Sequence, residues 1–389
     1  NINLGRSAVE SRDVAGAREA LDRCPEELRA WEWSLLNGAV EYSIGGFTAH
    51  SGPIRFMQFS PDGTKLATAS GDGTARVWDY VSGDMLTELD TGRSPVNGVS
   101  WSLDGERLAT ATSDGRVRVW TDRGRAVVST PPGEDMATHL AWSPIGGRIA
   151  VLHWSGKAVV LEDEGLTVVH TIAAHRGLPA QLAFSEDGKR LYTSGWNDHK
   201  VVCHDVATGD RVWEVNSGTN ITGLWHARGA SRLVGTNFWW PFTVETGGGP
   251  PRAVDPLREQ GRAIDALSVA ITVDGSVLVT SSRTNMGVWD LGERKLRHNK
   301  PVDYAWSPQV AAHPDGLVVA RGGDAGRVRY YMVGEAFAMP SRVVPVSKMT
   351  FNDRVMAAAL DVGKLAYSQA DGAMEVVELD GEVPRLRVA

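Results

Sequence analysis

Residues 58–79 read QFSPDGTKLATASGDGTARVWD, and residues 100–120 read SWSLDGERLATATSDGRVRVW. The second stretch repeats the first 42 residues later, measured from Gly63 to Gly105. Within each copy, short runs such as Leu66-Ala67-Thr68-Ala69-Ser70 and Ala75-Arg76-Val77-Trp78 alternate in polarity and are broken by Gly71-Asp72-Gly73. That period of two, bounded by turn residues, predicts antiparallel strands joined by tight hairpins. A glycine after aspartate takes a positive φ at little cost, so Asp72-Gly73, Asp114-Gly115 and Asp371-Gly372 read as the hairpin turns.

The repeat extends beyond its two best copies. Turn glycines at Gly63, Gly105, Gly147, Gly188, Gly229, Gly275, Gly316 and Gly363 are spaced 42, 42, 41, 41, 46, 41 and 47 residues apart. A second ruler at the end of the third strand of each unit (Trp78, Trp120, Leu161, His204, Glu245, Trp289, Tyr331, Val377) gives closely similar spacings. Each unit has room for four strands. A single four-stranded sheet cannot bury both faces, so the units must stack radially and close into a ring. The expectation is an all-β propeller of eight blades, with seven blades plus an irregular terminal unit as the alternative.

Residues 47–389 resemble the WD40 repeat family. Their best copy is residues 50–79, where His50, Asp72 and Trp78, with Thr68 or Ser70, match the family's network of Asp, His, Ser/Thr and Trp. The resemblance implies a structural role for that network, which satisfies buried polar groups and pins the third strand. The motif decays along the chain, with Leu161, His204, Glu245, Tyr331 and Val377 standing where Trp would be. The family closes its ring with an early strand at the edge of the last blade. Val40 to Gly46 is the preferred segment for that place, and Pro384 to Val388 competes for it.

Residues 3–37 lack a strand pattern, and Ala8, Ala15, Leu21, Leu28, Trp31 and Leu35 recur at helical spacing. The domain reading is a helical leader, residues 1–39, packed on a propeller of residues 40–389 through Leu28, Trp31 and Leu35. Residues 17–33, AREALDRCPEELRAWEW, resemble the junction that precedes the propeller in large bacterial signalling proteins, notably Ser/Thr kinases with C-terminal WD40 repeats. The resemblance implies the recognition half of a multidomain regulator, and the start at Asn1 is read as that of a piece of a longer protein. No kinase motif occurs within the 389 residues. A cytoplasmic location is expected, or an extracytoplasmic one if the chain is attached to a membrane-spanning kinase.

Composition narrows the function classes. The net charge of −7 is spread among interspersed charges, without the basic stripe that tracks nucleic-acid phosphates. No apolar run approaches the roughly 18 residues of a membrane helix. Cys24 and Cys203 stand far apart, which argues against a disulfide framework or a cysteine metal site. The histidines show no metal-ligand spacing, and neither a phosphate loop nor a nucleophile elbow is present. No catalytic residue, metal or cofactor is expected. The competing reading is a propeller enzyme of hydrolase type, or a small-ligand sensor, working at the central channel.

The 14 tryptophans need placing. Phe59, Trp101, Trp142, Phe184 and Trp225 end the innermost strands and read as core, while Trp33, Trp213 and Trp306 carry no clear assignment. In a WD40 blade the turn between the second and third strands opens on the narrow face around the channel. Alignment of the units puts Trp154, then Trp196 and Asn197, then Phe238, Trp239 and Trp240 at or beside that turn in the third, fourth and fifth units. Large rigid rings at exposed turns suit a protein or peptide partner, because they bury much area for little lost rotamer freedom. The same rings also suit a cover for the propeller's own rim or channel.

Overall fold

The computed structural model describes residues 45–333, apart from 228–231, 238, 248–250, 252–254, 258–265, 273, 303, 315 and 317, together with strands 358–361, 364–368 and 374–378. Every described element is a strand. The first blade shows how the sequence makes one. Strands Ile54–Phe59, Lys65–Ser70, Ala75–Asp79 and Met85–Leu89 pair in chain order as an antiparallel meander. The innermost three are largely buried, and the outermost faces solvent.

The turn between the first two strands explains why the sequence repeats. Ser60 Oγ donates to Asp62 Oδ1 at 2.5 Å and accepts from the Lys65 amide at 3.0 Å, while Gly63 supplies a φ of 75°. Ser185 with Asp187 and Thr272 with Asp274 make the same hydroxyl–carboxylate bond at 2.6 Å. A short side chain that satisfies backbone donors inside a tight turn is what Ser-x-Asp-Gly supplies.

The repeat length is also written in bonds between blades. The Trp101 amide donates to Gln58 Oε1 at 3.0 Å, Trp142 to Ser100 Oγ at 3.0 Å, Leu224 to Gln181 Oε1 at 3.1 Å and Val310 to Ser268 Oγ at 3.2 Å. In each case a polar side chain on one innermost strand caps an amide 42 or 43 residues on. Apolar packing supplies the rest. One cluster joins Ala67, Val77 and Leu89 to Val99, Trp101 and Trp120, and another joins Leu152, Val160 and Ile172 to Leu182, Phe184 and Leu191.

The ring holds seven blades, which corrects the expectation of eight. Six sheets, the first blade among them, pair four strands in chain order, and the seventh is completed by Gly45–Thr48 against Arg327–Met332, with Gly45 opposite Tyr330 and Thr48 opposite Arg327. The closing strand is thus N-terminal, but it joins the seventh unit rather than the eighth. The seam is tight. Phe47 lies 4.6 Å from Trp78 and 6.1 Å from Tyr330, ring centre to ring centre, and His313 Nε2 bonds the Gly63 carbonyl at 2.9 Å. Gly326, at φ 66°, lets its turn pass against the His50 carbonyl, where a β-carbon would collide. Among the described residues the innermost strand of the seventh blade packs between those of the sixth and the first, which closes the ring.

Strands Ala358–Asp361, Lys364–Ser368 and Met374–Glu378 form a separate three-stranded sheet in a second compact unit, 334–389. The rulers gave eight units, but spacing alone could not say how many the ring accepts. Residues 1–44, which include the expected helical leader and the first part of the expected closing strand, 40–44, lie outside the described residues, as do Pro384 to Val388.

Candidate functional site

In the first blade a chain of side chains runs from surface to core. Asp72 Oδ2 lies 3.1 Å from His50 Nδ1, His50 Nε2 lies 2.7 Å from Thr68 Oγ1, and Trp78 Nε1 donates to Thr68 Oγ1 at 2.9 Å. The neutral histidine with its proton on Nδ1 satisfies each partner: it donates to Asp72 and accepts from the Thr68 hydroxyl. Burial pulls His50 below the ordinary imidazole value, with Asp72 opposing. Burial would raise the Asp72 carboxyl, but bonds from Thr74 and His50 outweigh it and hold the group at about 2. Asp72 also accepts the Ser51 amide at 3.1 Å. Ser70, the other hydroxyl considered, bonds the Pro53 carbonyl at 3.0 Å and serves the turn instead.

That turn defines a face. Its first amide donates to the residue before the innermost strand: Gly71 to the Pro53 carbonyl at 2.8 Å, Ser113 to Pro95 at 2.9 Å, Trp154 to Met136 at 2.9 Å and Trp196 to Leu178 at 2.8 Å. These four positions are equivalent, so tryptophan stands at the third and fourth where glycine and serine stand at the first and second. Trp154 is 51% exposed, Trp196 is half-buried and Asn197 is exposed. In the fifth blade Asn237 Oδ1 accepts the amides of Trp239 and Trp240 at 2.9 and 3.0 Å, leaving Trp239 53% exposed and Trp240 half-buried. Phe238 lies outside the described residues.

The sixth and seventh blades add aromatics that sequence reasoning missed. The loop entering the seventh blade puts Ala305 where the first blade has His50, since the Ala305 amide donates to the Arg283 carbonyl at 2.9 Å as His50 does to Gly326. Without a histidine to pair with, Asp324 accepts the amides of Trp306 and Ser307. Tyr304 and Trp306 project at 63% and 61% exposure, and the Arg283 guanidinium lies over the Trp306 ring at 4.0 Å. Trp306-Ser307-Pro308 mimics Trp142-Ser143-Pro144, whose tryptophan is buried. The distinguishing feature was the strand-end turn that follows, in which the Gly316 amide donates to the His313 carbonyl at 2.9 Å and which places Trp306 in the preceding loop.

The inner aromatics sit where core was expected: Phe59, Trp101, Trp142 and Phe184 are buried, as is Trp213. Trp225 instead faces the channel and stacks on Phe56, with centroids 6.0 Å apart and planes 18° apart. Around that stack the described lining includes Gln58, Ser100, His139, Gln181, Glu186 and His226. Glu186 is the single carboxylate of this lining, so no carboxylate pair for acid–base work is assembled there among the described residues. Nor do three His, Cys, Asp or Glu side chains converge as a metal site among the described residues. No described helix is long and apolar enough to cross a membrane.

Residues 41–79 and 83–121 match the family model described as WD domain, G-beta repeat. These are WD40 repeats. Over 55 residues the chain is 46% identical to the human serine-threonine kinase receptor-associated protein, which is 14% of this chain and 16% of that protein. Over 60 residues it is 37% identical to small ribosomal subunit protein RACK1y of Oryza sativa subsp. japonica, covering 15% and 17% of the two chains. The chain thus spans about a sixth of the length of these curated relatives. A solved structure, the Cps50 (Swd1) β-propeller domain of Myceliophteria thermophila, superposes with a TM-score of 0.65 at 16% identity. The superposition covers 75% of this chain and 99% of that one, and shows the WD40 propeller fold.

Proposed function

We propose that the WD40 propeller is a protein-interaction scaffold whose narrow face captures a segment of a partner protein. The observation that carries this reading is the replacement of Gly71 and Ser113 by Trp154 and Trp196 at equivalent turns, continued by Trp239 in the next blade. An indole half exposed at a hydrogen-bonded turn contributes little to folding but is already ordered for a partner, which lowers the entropy cost of binding. Placement in a bacterial signalling protein is a further proposal that rests on the resemblance of residues 17–33 alone.

The test is photo-crosslinking in cells that make the protein, with a benzophenone amino acid at Trp239. The control position is Val81, 85% exposed in the turn at the opposite end of a blade. Adducts with partner proteins are expected at 239 and not at 81. Equal adducts at both, or adducts at 81 alone, would overturn the reading.

A further inference from the structure

Resting on the reading of the narrow face, we propose that Arg283, Tyr304 and Trp306 form its anchor for an acidic partner segment, an aspartate or glutamate flanked by an apolar residue. Three features of this corner support the assignment. First, the Arg283 guanidinium is preset over an indole but has no ion pair among the described residues, and its Nε is buried without a hydrogen-bond partner. With Nε buried, the two terminal nitrogens of a guanidinium stacked on a ring keep in-plane N–H donors for a carboxylate, which they can bind in an end-on two-point fork.

Second, the turn beneath Arg283 is held by another cation. Arg321, 5% exposed, donates through Nε to Ser281 Oγ at 2.8 Å and through Nη2 to the carbonyls of Ser282 and Arg283 at 3.2 and 3.4 Å. Two guanidiniums therefore adjoin one turn. The carboxylate of the neighbouring turn, Asp324, is committed to the Trp306 and Ser307 amides. Among the described residues, charge at this corner favours an incoming anion. Third, Tyr304 and Trp306 flank buried Ala305 with their rings outward, which offers apolar area beside the cation for the residue next to the acid.

The experiment is selection of a random peptide display library on the full chain, with the sequences enriched on wild type compared with those on Arg283→Gln and Arg283→Glu. On wild type, peptides with an Asp or Glu beside an apolar residue are expected. Their affinity should fall at least tenfold in Arg283→Gln, and Arg283→Glu should reverse the preference toward Lys or Arg. Trp306→Ala should weaken the same peptides, with thermal unfolding of each variant confirming an intact fold. Peptides that lose binding on Trp154→Ala or Trp239→Ala but not on Arg283→Gln would overturn this proposal and leave the face intact. Absence of acidic enrichment overturns it as well, and peptides insensitive to all four positions would overturn both readings.

Discussion

The first and fourth blades build the same network from the same positions and finish it differently. In the first, Asp72, His50, Thr68 and Trp78 form one unbroken chain of hydrogen bonds. In the fourth, Asp198 Oδ2 meets His175 Nδ1 at 3.0 Å, as Asp72 meets His50. There the chain stops: His175 Nε2, Thr193 Oγ1 and both ring nitrogens of His204 are buried without partners. His204 pairs across from Leu191 as Trp78 does from Leu66, so it holds the tryptophan position with a smaller ring that does not reach the threonine. The turn above has also changed: Trp196 and Asn197 precede Asp198, and His199 takes, at φ 59°, the left-handed place that Gly73 fills at 87°. A blade can therefore lose its inner hydrogen bonds and stay folded on its apolar interface, while its turn diverges on the face that carries Trp154 and Trp239.

At neutral pH the largest expected effect that sharpens this contrast is Thr68→Val. It leaves His50 Nε2 and Trp78 Nε1 buried without a partner, at about 1–3 kcal/mol each, so denaturant unfolding of the full chain should show a loss of about 3 kcal/mol. A loss near zero would mean that the linked chain adds nothing to stability.

The second effect concerns acid. Burial pushes His204 down to about 4, with His175 and Arg211 adding in the same sense, and burial does the same to His139. Between the ordinary imidazole value near 6.5 and about 4 the unfolded chain binds protons that the folded blades refuse. Stability should therefore fall as pH drops through that window, by up to about 1.4 kcal/mol per pH unit for each histidine, and then level off with respect to them. Asp72 acts lower: its contribution is present above about 3.8 and is lost as pH falls toward 2. His204→Phe should make the first window shallower by one proton. An unchanged slope would place the acid sensitivity elsewhere.

The smallest effect is Thr193→Val, the counterpart of Thr68→Val. Removing a hydroxyl that has no partner should leave stability within about 0.5 kcal/mol or raise it. A loss as large as that of Thr68→Val would abolish the distinction between the blades.

How much of this was legible in the sequence follows the same line. The repeat was readable because Ser-x-Asp-Gly turns and Leu-x-Thr runs are local devices, each satisfied within a few residues. The members of the first network were readable from the resemblance, although only geometry separates Thr68, which links, from Ser70, which caps the turn. Blade number was not readable, since closure depends on Gly45–Thr48 finding a strand some 280 residues away and not on period. Trp306 and Arg283 were not readable either: their meaning comes from a loop of one blade lying on a turn of another.

The measurement that tests the central claim most directly is the double variant Trp154→Ala with Trp239→Ala, assayed for binding of display-selected peptides and for thermal unfolding. If these exposed rings anchor a partner, truncating both should weaken binding by more than tenfold while the melting temperature stays within about 2 °C of wild type. A clear fall in melting temperature with unchanged peptide binding would show that these rings serve the fold, and would contradict the narrow face as the place of capture.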